Sequence, residues 1–301
     1  MNSFIPIGFF TLVIMSCNTS QKVTAPVTST AFDMQGHRGS RGLMPENTIA
    51  AMEKAIDLGV TTLEMDVVIS KDEGVVVSHD PYFHENITTT PAGKHLSKGE
   101  GVKHLIFQMN YDSVMKYDVG MKPHPDFPRQ EKVQAFKPLL VELLHATESY
   151  AKTKNRTIAY NIEIKSKPEY DGKRHPPIER FVDLAVEAIK AEGVEERTTI
   201  QSFDPRALKV VHSKYPSMLT SLLVEGNDKR PLNEQLKELG FTPGVYSPHY
   251  SLVTPALLEQ CHAKGMKVIP WTVNTIDDIK RLKAMGVDGI ITDYPDLFAQ
   301  L

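Results

Sequence analysis

The sequence predicts an α/β protein in which eight strand-and-helix units form a (β/α)8, or TIM, barrel. Three observations predict this fold. Short apolar runs alternate with helical patterns from residue 32 to the end of the chain, and strands that alternate with helices form parallel sheets. Eight such units in roughly 270 residues match the size of a (β/α)8 barrel. Polar residues follow the apolar runs, where a barrel places its functional groups.

A doubly wound open sheet is the alternative arrangement of the same pattern. The dinucleotide-binding form of that sheet carries Gly-x-Gly-x-x-Gly after its first strand, whereas this chain reads Gly36-His37-Arg38-Gly39. The composition, with 41% hydrophobic and 24% charged residues, is ordinary for a soluble globular protein. The net charge of −3 gives no indication of nucleic-acid binding, which usually requires a strongly basic surface.

The first 31 residues are predicted to lie outside the barrel. Residues 4–15 are almost wholly apolar, but a transmembrane helix needs about 20 such residues, so the run fits a secretory signal better. The run ends in Ser16-Cys17 and resembles a bacterial lipoprotein signal, although no Lys or Arg precedes it. This resemblance implies a signal peptide at 1–16, a lipidated Cys17 and export to a bacterial membrane, facing the periplasm or the cell surface. The alternative is a plain cleaved signal with an incidental cysteine.

Residues 17–31 are rich in Ser, Thr and Pro, and we interpret them as a flexible tether to the barrel at 32–301. The first two units of the barrel are predicted as strands at 32–37 and 61–70, a helix capped by Asn47 or Thr48, and an extended return at 75–79. The pattern then lapses from residue 82 to about residue 134. Because structureless loops of this length are uncommon in compact domains, we predict a small inserted subdomain after the second strand.

The alternation resumes after the insertion, where a helix at 139–151 completes the second unit. The remaining strands are predicted at 157–165, 198–203, 218–224, 244–247, 267–273 and 289–292. The remaining helices are predicted at 178–192, 205–215, 233–239, 255–264 and 276–285, with a terminal helical turn at 294–299.

Two strands carry paired charged residues inside apolar runs. Side chains alternate along a strand, so Glu64 and Asp66 share one face, as do Glu163 and Lys165. Buried carboxylates are costly without a cation, and three carboxylates favour a hard ion such as Mg²⁺, Ca²⁺ or Mn²⁺. The sequence therefore predicts one divalent cation. The alternative is a buried ion cluster in which Arg38 and Lys165 neutralise the carboxylates.

Two histidines end predicted extended segments close to these carboxylates. His37 and Arg38 close the first strand, and His79 closes the segment after the second. Imidazole titrates near neutral pH and suits acid–base catalysis, while Arg38 and Lys165 suit an anion such as phosphate. Together these groups predict cleavage of a phosphate ester, with cations stabilising the charge that develops on oxygen.

Several short motifs span residues 36–295 in a fixed order. They are His37-Arg38-Gly39, Pro45-Glu46-Asn47-Thr48, Glu64-Met65-Asp66-Val67, His79-Asp80-Pro81, Asn161-Ile162-Glu163-Ile164-Lys165, Gln201-Ser202-Phe203, Trp271-Thr272-Val273-Asn274 and the run from Gly286 to Pro295. As a set they resemble the glycerophosphodiester phosphodiesterases. Segment 82–134 departs from the family pattern, since it retains little beyond Thr89, Thr90 and Gly93.

The resemblance implies a barrel with an insertion and a role for each matched residue. The implied metal ligands are Glu64, Asp66 and Glu163, the implied acid–base residues are His37 and His79, and the implied substrate-binding residues are Arg38, Lys165, Glu46, Gln201 and Trp271. Arg38 and Lys165 would hold the phosphate, and Trp271 would flank the glycerol moiety. The structural alternatives are a carboxylate at a helix N-terminus for Glu46 and a barrel-core aromatic for Trp271.

The implied reaction is hydrolysis of a glycerophosphodiester, a small-molecule substrate, to sn-glycerol 3-phosphate and an alcohol. The sequence leaves five points open. They are which histidine is the base, whether a glycerol hydroxyl or water attacks, which ion binds, which alcohol leaves, and the oligomeric state. Two other functions stay open as alternatives. One is a phospholipase D-like or C-like barrel that acts on intact phospholipid, and the other is a lipoprotein that binds phosphorylated ligands without turnover.

Overall fold

The computed structural model of the protein describes residues 1–2 and 31–301. The predicted signal peptide, the predicted lipidation site Cys17 and the predicted tether therefore lie outside the described residues, apart from residues 1, 2 and 31. Within the described part of the chain, no helix combines the length and the apolar character that crossing a membrane requires.

Eight parallel strands form a nearly closed barrel, which confirms the predicted fold. In the described residues the strands are β1 (Asp33–Gly36), β2 (Thr62–Ile69), β3 (Val75–Val77), β4 (Ala159–Ile164), β5 (Thr198–Ser202), β6 (Leu219–Val224), β7 (Val245–Pro248), β8 (Lys267–Val268) and β9 (Gly289–Thr292). Their order around the barrel is β8-β7-β6-β5-β4-β2-β1-β9, and β3 pairs antiparallel with β2 outside this path.

The barrel closes between its last two strands through single backbone hydrogen bonds. The amide of Asp288 donates to the carbonyl oxygen of Val268 at 2.9 Å, and the amide of Ile291 donates to that of Pro270 at 3.0 Å. β8 ends earlier than the predicted strand at 267–273, because Pro270 has no N–H to continue a ladder. Trp271 therefore follows β8 instead of lying within it, just as Lys165 directly follows β4.

Eight α-helices occur in the described residues, and most of them cover the outside of the barrel. They are α1 (Ile49–Asp57), α2 (Tyr111–Val114), α3 (Leu140–Thr153), α4 (Ile178–Ala191), α5 (Pro205–Lys214), α6 (Leu232–Leu239), α7 (Pro255–His262) and α8 (Ile276–Met285), and a 3-10 helix at Pro295–Gln300 follows them. Of the two predicted caps of α1, Thr48 is the cap: its Oγ1 accepts the amide of Ala51 at 3.2 Å.

The apolar faces of these helices pack on the barrel strands and form one large core. α4 buries Phe181, Val182, Ala185 and Ile189 at helical spacing, and every residue of β2 is buried. The charged residues of β2 are therefore held inside the protein by the strand that carries them.

Segment 82–134 contains α2, two short 3-10 turns and a smaller apolar cluster. That cluster joins Phe83, Ile106 and Val114 of the segment to Val68 of β2 and Val76 of β3. The segment therefore packs on the β2–β3 hairpin, beside the end of the barrel that carries His79. Its description as a separate subdomain stays a prediction.

Candidate functional site

The turn after β1 brings His37 and Arg38 to the carboxyl end of the barrel. A Cβ on Gly36 would lie 2.1 Å from the carbonyl oxygen of Gly39, and Gly39 itself has φ of +83°, so both positions require glycine. Arg38 also adopts a positive φ of 47°, and its amide donates to Glu64 Oε2 at 2.7 Å. This turn therefore links the first strand directly to a carboxylate of the second.

The three predicted metal ligands lie together because of the parallel register of β2 and β4. Asp66 pairs directly with Glu163, and Glu64 stands two residues earlier on the same face of β2. Ligand atoms of the three carboxylates lie within 4.8 Å of one another, and all three residues are buried. The group could hold one metal ion at the carboxyl end of the barrel.

The charges around this triad fit a divalent cation. Burial and the neighbouring Asp66 raise the pKa of Glu64 well above its usual value, and burial raises the pKa of Glu163 to about 7. Burial also opposes ionisation of Asp66, but Lys165 and Arg38 hold its pKa below the usual range. The three buried carboxylates thus face two cationic side chains, Lys165 and Arg38. A bound divalent ion would supply the remaining positive charge.

The two cationic side chains, Lys165 and Arg38, contact the three carboxylates at salt-bridge distance. Lys165 Nζ lies 2.8 Å from Glu163 Oε1 and 3.6 Å from Asp66 Oδ1, while Arg38 Nε lies 3.3 Å from Asp66 Oδ2. These contacts also support the alternative of a buried ion cluster. The raised pKa values of Glu64 and Glu163 argue that the two cations alone do not balance the site.

His37 is held by a carboxylate from the far end of the sequence. Its Nδ1 lies 2.6 Å from Oδ1 of Asp293, and Oδ2 of Asp293 accepts from Asn274 Nδ2 at 2.7 Å. This leaves Nε2 of His37 toward the triad, 4.0 Å from Glu64 Oε2. Burial lowers the pKa of His37, although Asp293 opposes this effect. Sequence reasoning gave Asp293 no role, although its position directly after the last strand was a usable signal.

His79 is held by the turn that follows β3. Its Nδ1 lies 3.3 Å from Asp80 Oδ1, and the hydroxyl of Ser78 donates to the carbonyl oxygen of Asp80 at 2.7 Å. Lys137 Nζ in turn donates to Ser78 Oγ at 2.9 Å. Burial lowers the pKa of His79, and Arg38 and Lys165 act in the same direction. Sequence reasoning missed Lys137, which no motif singles out.

Glu46 pairs with the arginines of the β1 turn. Arg38 Nη1 lies 3.0 Å from Glu46 Oε1, and Arg41 Nε lies 2.7 Å from Glu46 Oε2. Although burial opposes its ionisation, Arg38 and Arg41 hold the pKa of Glu46 well below its usual range. Glu46 thus holds the guanidinium of Arg38 in place. The assignment of Glu46 to substrate binding stays a prediction.

Gln201 and Trp271 also line the main cavity, but the amide of Gln201 is already engaged. Gln201 Nε2 donates to Glu64 Oε1 at 2.8 Å, and its Oε1 accepts from Asn161 Nδ2 at 3.0 Å. The indole N–H of Trp271 donates to the carbonyl oxygen of Ser247 at 3.0 Å, and its ring meets Phe203 edge-on at 5.3 Å. The geometry supports Gln201 as a partner of Glu64 and leaves the Trp271 ring as a cavity wall.

One cavity of about 1020 Å³ joins most of these groups. Its lining includes the following predicted site residues: His37, Arg38, Glu64, His79, Glu163, Lys165, Gln201 and Trp271. Asp66 lies buried beside this lining, and Glu46 lines a smaller pocket of about 210 Å³. The small pocket shares His79 and Asp80 with the main cavity and receives His84 and His124 from segment 82–134. His79 therefore stands at the junction of the two spaces.

Comparison with known proteins identifies similar sequences and folds. A model of the glycerophosphoryl diester phosphodiesterase family matches residues 37–297. The glycerophosphodiester phosphodiesterase of Caldanaerobacter subterraneus subsp. tengcongensis is 32% identical over 265 residues, which cover 88% of this chain and 95% of that relative.

Solved structures are similar over nearly the same length. A structure from Silicibacter pomeroyi, assigned as a glycerophosphoryl diester phosphodiesterase, is 30% identical with a TM-score of 0.80 and covers 90% of this chain and 92% of that one. A phosphodiesterase from Oleispira antarctica, solved in complex with its product sn-glycerol-3-phosphate, is 23% identical with a TM-score of 0.70 and covers 89% of this chain and 95% of that one. At the latter identity the similarity concerns the fold.

Proposed function

The chain belongs to the glycerophosphoryl diester phosphodiesterase family, and on that premise we propose that it hydrolyses glycerophosphodiesters to sn-glycerol 3-phosphate and an alcohol. One observation carries the proposal. Two histidines, His37 and His79, each with a carboxylate at Nδ1, line the same cavity as a buried group of three carboxylates. The product named for the Oleispira antarctica phosphodiesterase, which shares this fold, is the product proposed here.

Glu64, Asp66 and Glu163 would hold one divalent cation, Mg²⁺ or Ca²⁺, with Mn²⁺ a further candidate. All three residues offer oxygen ligands, which hard cations prefer. When bound, the ion would supply positive charge to the phosphate oxygens. Arg38 and Lys165 would contribute to the same task from the protein, because both cationic residues line the cavity.

We assign the base to His37 and the acid to His79. His37 is more buried than His79, with Nε2 directed toward Glu64 and Nδ1 bound to Asp293, so its free nitrogen would face the phosphate beside the carboxylate triad. His79 is more exposed and lines both the main cavity and the small pocket, which gives a departing alcohol room beside it. His79 would give its proton to the leaving oxygen as the ester bond breaks.

Two routes lead to the same products. His37 would take a proton either from the neighbouring hydroxyl of the glycerol, which then forms a cyclic phosphate, or from an attacking water. In the first route a water opens the cyclic phosphate in a second step. Both histidines line the same cavity, and the roles proposed for them serve both routes equally.

The test is a substrate panel with purified protein and several divalent ions. We expect release of sn-glycerol 3-phosphate from glycerophosphoethanolamine and glycerophosphocholine, and loss of activity with a chelator. His37→Ala should lower kcat by about 10²–10⁴-fold, the usual contribution of acid–base catalysis, while His145→Ala on the exposed face of α3 serves as the matched control. Full activity in His37→Ala would refute the assignment, and turnover of intact phospholipid alone would favour a lipase.

We also propose that the protein is exported and held at a membrane by lipid on Cys17. The apolar run at 4–15 followed by Ser16-Cys17 supports this proposal. Mass spectrometry of the mature protein tests it directly. An unmodified Cys17, or an N-terminus at another residue, would exclude the lipid anchor.

A further inference from the structure

Lys137 is a buried lysine that takes no part in the proposed chemistry. It is 4% exposed, and its Nζ makes a hydrogen bond to Ser78 Oγ but no salt bridge within residues 31–301. Its ammonium lies 5.8 Å from the centre of the Phe83 ring. A charged group in such a place is costly unless a specific arrangement compensates for it, so its surroundings indicate what it does.

The backbone next to Lys137 runs beside β3 and brings the ammonium close to the turn after β3, which carries His79. The amide of Val77 donates to the carbonyl oxygen of Pro138 at 2.8 Å, and Val76 pairs with Leu139 in an antiparallel bridge. Ser78 is the next residue after Val77, so this pairing sets Lys137 opposite it. The backbone pairing therefore fixes the position of the Lys137 ammonium. A lysine on the surface, by contrast, would be free to turn away.

Lys137 determines the direction of the hydrogen bond that closes the turn. An ammonium can only donate, so Ser78 Oγ must accept from Lys137 and use its own single proton elsewhere. That proton goes to the carbonyl oxygen of Asp80 at 2.7 Å. The chain Lys137–Ser78–Asp80 thus spans the backbone on both sides of His79. Because Asp80 also carries the carboxylate 3.3 Å from His79 Nδ1, the chain ends at the imidazole.

Charged neighbours keep the ammonium in this position. Burial lowers the pKa of Lys137, while Glu46 and Asp80 act against this effect and Arg38 acts with it. Glu46 belongs to the β1 turn and Asp80 to the turn after β3. The charge of Lys137 is therefore favoured by both carboxylates, of which Glu46 contacts Arg38 and Asp80 contacts His79.

We propose that Lys137 is a positioning residue that holds His79 where it can protonate the leaving alcohol. The inference rests on the proposed function, in which His79 is the acid. Without the ammonium, the Ser78 hydroxyl is free to rotate, the Asp80 carbonyl loses its fixed donor, and His79 loses its orientation. Small displacements of a catalytic group cost large factors in rate, although the residue that moves need not contact the substrate.

The test compares two substrates that share the glycerol end and differ in the leaving group. Glycerophosphoethanolamine releases an alkoxide that needs a proton, whereas the nitrophenyl ester of glycerol 3-phosphate releases a stable phenolate that does not. The measured quantity is the ratio of kcat on the ethanolamine diester to kcat on the nitrophenyl ester. The full chain is used, with its divalent ion.

Lys137→Met keeps the length of the side chain and removes the donor. We expect the ratio to fall by about tenfold or more, in the direction of His79→Ala, with KM little changed. Ser78→Ala, which keeps Lys137 but breaks the same chain, should give the same signature if Lys137→Met fails to fold. Lys122→Met is the matched control, because Lys122 donates only to the backbone carbonyls of Glu85 and Leu96 within segment 82–134.

A merely structural role predicts a different result. In that case Lys137→Met would lower the melting temperature and would lower kcat by the same factor on both substrates, and the proposal would be overturned. The control Lys122→Met is expected to show no more than this structural pattern. An unchanged ratio in His79→Ala would contradict the acid assignment and this role together. A ratio that falls in His79→Ala but not in Lys137→Met or Ser78→Ala would overturn the role of Lys137 alone.

Discussion

The Nδ1 atom of His37 lies 2.6 Å from Oδ1 of Asp293, although 256 residues separate them in the chain. Parallel pairing of the first and last strands brings them together, since Gly36 pairs with Thr292 and each is followed by one of the two residues. Asn274 Nδ2 holds the other carboxylate oxygen at 2.7 Å. The proposed base is thus oriented by the pairing of the first and last strands.

Asp293→Asn tests this orientation. An amide N–H at this position can donate to Nδ1, which would put the ring proton on Nε2 and leave no free lone pair there to accept a proton from the substrate. We expect kcat to fall by about 10²-fold or more with little change in KM. Asp296→Asn, which removes a partly exposed partner of Arg129, is the control, and wild-type kcat in Asp293→Asn would show that His37 does not depend on the carboxylate.

Ion binding should release protons near neutral pH. Burial raises the pKa of Glu163 to about 7 in the protein without an ion, so part of the population is protonated at pH 6.5 and must ionise when a cation binds. The affinity for the ion should therefore fall as the pH decreases below about 7. Calorimetric titration in buffers of different ionisation enthalpy measures the released protons.

Glu163→Gln supplies the control for that measurement. It should abolish both the binding and the proton release, while Glu169→Gln, on the exposed 3-10 helix after β4, should leave both unchanged. Tight binding without any proton release would mean that Glu163 is already ionised, in disagreement with its buried position.

Gln201→Met separates two roles for this residue. Because Gln201 Nε2 donates to Glu64 Oε1 at 2.8 Å, its loss should weaken ion affinity by about 10–100-fold, the usual effect of removing a partner of a metal ligand. KM at saturating ion should change little. A higher KM with unchanged ion affinity would instead support direct substrate binding by Gln201.

Alternation along single strands was enough to predict much of this site. Glu64 and Asp66 share a face because they are two residues apart, and an isolated strand already contains that information. The register between strands is different: Asp66 meets Glu163 only because β2 and β4 pair at that offset. The apolar runs predicted that the two strands belong to one sheet and that their three buried carboxylates share one cation, and the resemblance then implied that all three are its ligands.

Asp293 and Lys137 mark the limit of that reasoning. The role of Asp293 depends on its standing next to His37 once the first and last strands pair. Its position directly after the last strand indicated the right end of the barrel, but no local pattern encodes His37 as its neighbour. Lys137 looks like a surface lysine in the sequence, and it is buried only because the backbone at 138–139 pairs with β3. Contacts between distant segments, not local propensity, decide both cases.

The thiol of Cys261 should be unreactive in the native protein. Burial raises its pKa to about 12, so almost no thiolate is present between pH 6 and pH 9, and the thiolate is the reactive form. In a Cys17→Ser background, a thiol reagent should label Cys261 only after denaturation. Labelling of the folded protein at a rate close to that of a free thiol would show that α7 opens readily.

Glu46→Gln should show whether the paired arginines of the β1 turn stabilise the fold, the site or both. Glu46 is buried and contacts both Arg38 and Arg41, so its neutralisation removes the carboxylate that pairs with Arg41 and one of the two that pair with Arg38. Breaking a buried pair in this way lowers the free energy of unfolding by about 3–5 kcal/mol. Glu131→Gln, at an exposed salt bridge with Lys54, should cost less than about 1 kcal/mol, and urea denaturation compares the two.

The kinetic consequence of Glu46→Gln follows from the position of Arg38. If Glu46 holds the guanidinium toward the phosphate, KM should rise in the folded variant while the ratio between alkyl and nitrophenyl leaving groups stays constant, because His79 is untouched. An unchanged KM together with a large loss of stability would mean that Arg38 keeps its position through Asp66 alone, whose Oδ2 lies 3.3 Å from Arg38 Nε. The two measurements thus show whether the buried charge of Glu46 stabilises the fold or promotes substrate binding.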